Sequence, residues 1–183
     1  MGEQGSLLPT DSDSLTPPEI GLLTKTQIMQ LRGTDLVVDK VRAKKASVSG
    51  LGATRTLNEN ESGSLITLDR AAGIVVTLPT AKAGITFDVN VSTSVTSNSY
   101  KVITASASEF LTGGVTNVDT DTSNAVAFFS GNGTTHVALT MNGTTTGGLI
   151  GTALRFTAIS STLWTVEGVN MGSGVVATPF ATS

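Results

Sequence analysis

Two pairs of carboxylates and one histidine are the side chains of this sequence whose types and spacing could do chemistry. Asp119 and Asp121 lie in Asn117-Val118-Asp119-Thr120-Asp121-Thr122-Ser123-Asn124, the spacing that opens a calcium loop. The pattern then fails where it is strict: Asn124 stands where the turn glycine belongs, and Ser130 where the bidentate Glu belongs. A polar turn is the better reading, with a non-EF calcium site at Asp119 and Asp121 as its alternative. His136 is the single histidine, set between Thr135 and Val137 in what reads as a strand. No Ser–His–acid arrangement can be assembled around it from spacing, so it reads as a packing or surface residue. Glu59 and Glu61 flank Asn60 just before a strand; paired carboxylates could do acid–base work, but a solvated loop explains them. Gly147-Gly148 lacks the Lys and helix start of a phosphate loop. The chain reads as a non-enzyme with no cofactor and no metal site.

Composition narrows the classes further. With no cysteine, disulfides, thiolate catalysis and most structural zinc sites are excluded. One Trp and one Tyr are too few for a sugar-binding platform, and no coherent acid pair supports glycoside hydrolysis. A formal net charge of −3 gives nucleic acid no electrostatic invitation. No apolar run approaches the length needed to span a bilayer. The start, MGEQGSLLPTDSDS, is acidic and lacks the apolar core of a secretory signal. Its myristoylation outline, Met1-Gly2 with Ser6, and the glycosylation-like triplets at Asn90, Asn132 and Asn142 read as coincidence. Charged residues are only 14% and hydrophobic ones 39% of 183, which suits one β-rich domain plus an arm. Such a surface is Ser/Thr/Asn/Gly, or is hidden in an assembly.

The elements that would carry these residues are strands. From Asn58 to Thr104 the chain repeats strand and turn. Ile74, Val76 and Leu78 alternate with Val75 and Thr77 until Pro79 stops the strand. Phe87, Val89 and Val91 follow at period two with Asp88 and Asn90 turned outward, then Tyr100 to Ile103. Beyond Ala125, Val126 and Phe128 alternate with Ala127 and Phe129. Thr135 to Met141 is a strand bracketed by Asn132-Gly133 and Asn142-Gly143, a hairpin signal. Leu149 to Ile159 puts Leu154, Phe156 and Ala158 toward a core, and Ser160-Ser161 turns into Leu163 to Val166. No internal repeat is evident.

The first third differs. Residues 1–19 carry Glu3, Asp11, Asp13 and Glu19, interrupted by Pro9, Pro17 and Pro18, and predict an extended tail. A short helix is expected with Thr24 and Gln27 as capping box and Gly33 as cap, or starting at Thr16. Asp35 to Val41 reads as a strand. Lys40, Arg42, Lys44 and Lys45 form the basic cluster, either as guards of a strand edge or as a contact to an acidic partner. Residues 1–55 hold seven basic and six acidic residues, and the remainder four and eight. Ser47 to Gly52 reads as a flexible junction. The division expected is an N-terminal arm, 1–52, and a β domain, 53–183.

Two runs carry a family resemblance. Gly73-Ile74-Val75-Val76-Thr77-Leu78-Pro79 with Ala83-Gly84-Ile85-Thr86-Phe87 resembles a module of structural proteins of tailed bacteriophages. Leu154 to Ile159, Leu163 to Gly168, Ser173-Gly174 and Thr178-Pro179-Phe180 are similar to the closing part of such proteins. The resemblance spans about residues 58–183, and in size and simplicity it points to capsid decoration, or cement, proteins. It implies a homotrimer on the capsid exterior at three-fold or quasi-three-fold positions, assembled in the host cytoplasm and partnered by the major capsid protein. A head-fibre or tail-associated protein with a host-binding role is the alternative. On that reading Lys40, Arg42, Lys44 and Lys45 are candidate capsid contacts, and Ile20, Leu22, Leu23 and Ile28 apolar anchors of the arm.

The fold expected is mainly β: an antiparallel β-sandwich or barrel, possibly jelly-roll-like, after an extended arm with one short helix. Its expected core holds Val76, Leu78, Phe87, Val89, Leu139, Phe156 and either Trp164 or Val166.

Overall fold

Valine, isoleucine and phenylalanine at every second position offer no helical stripe, and β-branched side chains pack best on a pleated surface. Strands result. The computed structural model describes residues 46–121 and 126–183. It contains β1 (Ser47–Val48), β2 (Thr54–Thr56), β3 (Leu65–Leu68), β4 (Ile74–Thr77), β5 (Thr86–Val91) and β6 (Tyr100–Ile103). They are followed by β7 (Phe110–Asp119), β8 (Ala127–Asn132), β9 (Ala138–Met141), β10 (Ala153–Ala158), β11 (Leu163–Gly172) and β12 (Phe180–Ala181).

These strands form two sheets. One has seven strands in the order β1-β3-β5-β10-β11-β7-β8, the other five in the order β12-β9-β6-β4-β2. From β1 to β6 the chain alternates between them, so strands two apart in sequence become parallel neighbours. Each parallel crossover is here a strand of the other sheet, where α/β proteins use a helix. Ser47 faces Leu65, Thr54 faces Val75, Leu65 faces Asp88 and Ile74 faces Tyr100. Each successive coil is longer than the last, which explains why no period shows in the sequence.

The expectation of antiparallel sheets is therefore corrected: both are mixed. β7 also runs parallel to β11 along all ten residues, whereas β5, β10 and β11 are antiparallel in turn. The expected hairpin around residues 135–141 is also absent, because β8 and β9 lie in different sheets. The side chain of each asparagine explains this. Asn132 Oδ1 accepts the N–H groups of Thr134, Thr135 and His136, and Asn142 Oδ1 those of Thr144 and Thr146. Each thereby builds a wider bend than a two-residue hairpin turn. The Ser160-Ser161 turn does close a hairpin, β10 to β11.

The inward positions of both sheets converge on one hydrophobic cluster. Every residue expected in the core is buried, and Trp164 and Val166 are both there because residues two apart on a strand share a face. The Phe87 and Trp164 rings meet at 6.3 Å between centroids, tilted by 32°. Ser47–Val48, inside the stretch read as a junction, pairs with β3, and Leu51 is buried in the core. The expected arm helix and the expected strand 35–41 lie outside the described residues.

Tyr100 ties the core to a loop, its hydroxyl donating to Thr93 O at 2.7 Å. Burial raises its pKa above the ordinary 10.0; the Asp69 charge adds to this, and a backbone hydrogen bond at Arg70 opposes it. A raised folded-state pKa means the unfolded chain ionises first. The contribution of Tyr100 is thus whole below about pH 10 and is lost as pH rises through the folded-state value. Tyr100 is the chain's one tyrosine, so phenolate absorbance reports it alone. The expected titration lies above that of the urea-denatured chain, and Tyr100→Phe removes that part of the alkaline loss of stability. Coincident folded and denatured curves would contradict the assignment.

Candidate interaction surface

Period two leaves the other face of the seven-stranded sheet outward, and there the register brings distant residues into rows. Leu65, Asp88, Arg155, Glu167, Gly114 and Ser130 lie opposite one another across β3, β5, β10, β11, β7 and β8. The next row is Thr67, Asn90, Ala153, Val169, Thr116 and Phe128. On the other side, Thr86, Thr157, Thr165 and Thr112 form a threonine row, with the hydroxyls of Thr86 and Thr157 3.2 Å apart.

Charge on this face is concentrated in one triad. Arg155 forks onto Asp88, donating from Nε to Oδ1 at 2.7 Å and from Nη2 to Oδ2 at 3.4 Å. Its Nη1 lies 4.0 Å from Glu167 Oε1. The side chain of Arg155 is 54% exposed, so solvent screening keeps the Arg155–Asp88 pair to under about 1 kcal/mol. It orders the surface more than it stabilises the fold. Beside the triad an open groove of about 580 Å³ is lined by Leu65, Asp88, Asn90, Ala153, Arg155 and Glu167.

Apolar groups lie toward the other edge. Phe128, on edge strand β8, is 68% exposed. Its ring covers Gly114, where a Cβ would come within 2.2 Å of it. Phe129, its neighbour, turns inward against the core. Val126, Ile150, Val169 and Val175 are also exposed. Of these, Val169 shares an outward row with Phe128, separated from it by Thr116.

The residues singled out for chemistry fall elsewhere and do not come together. His136 lies in the bend before β9, not within a strand; its ring stacks on Phe180 at 5.6 Å, and Nδ1 accepts the Asn132 N–H at 3.2 Å. Asp119 Oδ1 accepts the N–H of Asp121, and Asp121 Oδ2 that of Gly174, so both carboxylates brace turns. Among the described residues no three His, Cys, Asp or Glu side chains gather to hold a metal ion. Glu59 and Glu61 sit on a short 3-10 turn, Glu59–Glu61, and pair with Lys82 and Arg55. The basic cluster Lys40, Arg42, Lys44 and Lys45 and the anchors Ile20, Leu22, Leu23 and Ile28 lie outside the described residues.

A buried carboxylate lies apart from all of these groups. Glu109 is buried, its Oε2 accepting the Ala81 N–H at 3.2 Å and the Trp164 Nε1–H at 3.3 Å. An isolated Glu before an apolar pair carries no signal of such burial. No helix among the described residues is long and apolar enough to cross a membrane. No family model matches the chain, and neither a curated protein nor a solved structure gives a significant match.

Proposed function

We propose that this chain is a non-enzymatic structural protein of a phage virion, a decoration protein that binds the outer capsid surface as a homotrimer and reinforces the shell. The two sheets then stack as a rigid sandwich that covers a junction between shell subunits. The observation that carries this reading is the outward face of the seven-stranded sheet. It carries exposed Val169 and Phe128 in one row, with exposed Val126 just before its edge strand, and its charge lies in a single Asp88–Arg155–Glu167 triad. A surface of that kind binds through area rather than through one group. The phage resemblance of residues 58–183 supplies the partner, the major capsid protein, and the place, the virion exterior.

Lys40, Arg42, Lys44 and Lys45 are the groups proposed to meet acidic side chains of the shell. Reversing all four charges slows association with undecorated capsids, measured by co-sedimentation over time, and leaves a shallower dependence on salt than wild type. Unchanged association and salt dependence would remove these residues from the contact. Retention by host cells but not by capsids would favour the head-fibre or tail reading.

A further inference from the structure

Asn132-Gly133-Thr134-Thr135 and Asn142-Gly143-Thr144-Thr145 are the same four residues, and they contain both Asn–Gly steps of the chain. Asn–Gly is chemically labile because glycine has no side chain to keep its backbone nitrogen from the asparagine Cγ. We propose that Asn132 is the chain's site of spontaneous deamidation, and that packing shuts off the same reaction at Asn142. The Gly133 amide nitrogen, giving its proton to solvent, bonds to Asn132 Cγ. The Cγ–Nδ2 bond breaks, ammonia leaves, and a cyclic imide remains. Water then opens the ring to aspartate or to isoaspartate. The net change is amide plus water to acid plus ammonia, with no redox partner.

Both turns hold the asparagine amide in the same way. Nδ2 donates to the hydroxyl of the second threonine, at 2.7 Å to Thr135 and at 3.1 Å to Thr145. The attacking nitrogen is engaged in both: Gly133 N–H donates to Leu111 O at 2.9 Å and Gly143 N–H to Gly147 O at 2.7 Å. Reaction therefore waits on local opening, and it is the ease of opening that differs.

Asn132 ends β8, the outermost strand of its sheet, which is paired on one side only. A Cβ at Gly133 would meet nothing tighter than ordinary contact, its nearest neighbour being Thr112 Cβ at 3.6 Å. Gly143 is buried, and a Cβ there would lie 2.0 Å from Val95 O. The second turn is also tied to distant chain: Ser173 N–H donates to Thr144 O, Ala177 N–H to Thr145 O and Val95 N–H to Gly148 O. Opening it requires two separate segments, residues 173–177 and Val95, to let go.

The shared sequence makes each site the control for the other. The full chain is incubated at neutral pH, folded and in urea, and amide-to-acid conversion at each asparagine is followed by peptide mapping with mass spectrometry. In urea the two sites convert at comparable rates. In the folded chain both slow, and Asn142 falls behind Asn132 by about tenfold or more. Asn170→Ala, which loosens the second turn, accelerates Asn142 more than Asn132 and so narrows the gap between them. Equal folded rates, a faster Asn142, or no conversion at Asn132 while the denatured chain converts fully would each overturn the proposal, whether or not the variant folds.

Discussion

Asn170→Ala is expected to destabilise the β domain by about 3–5 kcal/mol, a large share of the 5–15 kcal/mol typical of a folded domain. Asn170 is fully buried on β11 and completes four hydrogen bonds. Its Oδ1 accepts from Gly148 N–H at 3.1 Å and from the Thr152 hydroxyl at 3.2 Å. Its Nδ2 donates to Thr146 O and to Asn117 Oδ1, both at 2.9 Å. Asn117, equally buried and directly opposite on β7, passes the chain on to Ala177 O at 3.1 Å. Truncation strands several of these groups away from water, and each stranded group costs about 1–3 kcal/mol. Urea denaturation followed by Trp164 fluorescence measures the loss. A double-mutant cycle with Asn117→Ala should show coupling, since the two amides touch. A loss below about 1 kcal/mol, or strict additivity, would show that the network is not what holds this end of the sheets together.

Trp164 carries the second large effect, and it divides into two parts. Trp164→Ala empties the largest fully buried side chain of the core and should cost about 3–5 kcal/mol. Trp164→Phe keeps part of the ring packing against Phe87 while removing the Nε1–H donated to Glu109 and the second ring of the indole. Its expected cost is about 1–3 kcal/mol, because Glu109 is buried and keeps only the Ala81 N–H on that oxygen. Thermal unfolding followed by circular dichroism gives both values without the lost fluorophore. If the two variants were equally stable, the Trp164 ring would contribute little beyond its hydrogen bond; if Trp164→Phe matched wild type, Glu109 would not depend on it.

These two sites show where sequence reading stops. Ile74 with Val76, Phe87 with Val89, and Leu154 with Phe156 and Ala158 declare their strands and their inward face through period two alone. β11 reads clearly only as far as Val166, because exposed Glu167, Gly168 and Val169 interrupt the alternation and buried Asn170 carries no apolar signal, yet the strand runs on to Gly172. β7 was not legible at all. Gly113-Gly114 in its middle reads as a break, whereas a Cβ at Gly113 would fall 2.4 Å from Val166 O on the parallel neighbour.

Neighbour relations were hidden for a different reason. Period two states which way a side chain points but not which strand lies beside it. The alternation between sheets that makes β3 and β5 parallel leaves no local mark. The proposed interaction surface suffers from the same gap. Asp88 was legible as outward, but its meeting with Arg155 depends on β5 pairing with β10 far along the chain. Phe128 and Phe129 alternate plainly, but only the register of β8 on β7, which sets Phe129 beside buried Val115 and Phe128 beside Thr116, decides that Phe128 is the exposed one.

The most direct test of the proposed role is a density map of the intact particle that carries this protein. The decoration reading predicts density for a two-sheet β domain on the outside of the shell, repeated at three-fold or quasi-three-fold positions, with a low-charge sheet face against neighbouring subunits. Density confined to the tail or to one unique vertex, or a chain that sediments as a monomer and is bound singly, would contradict it.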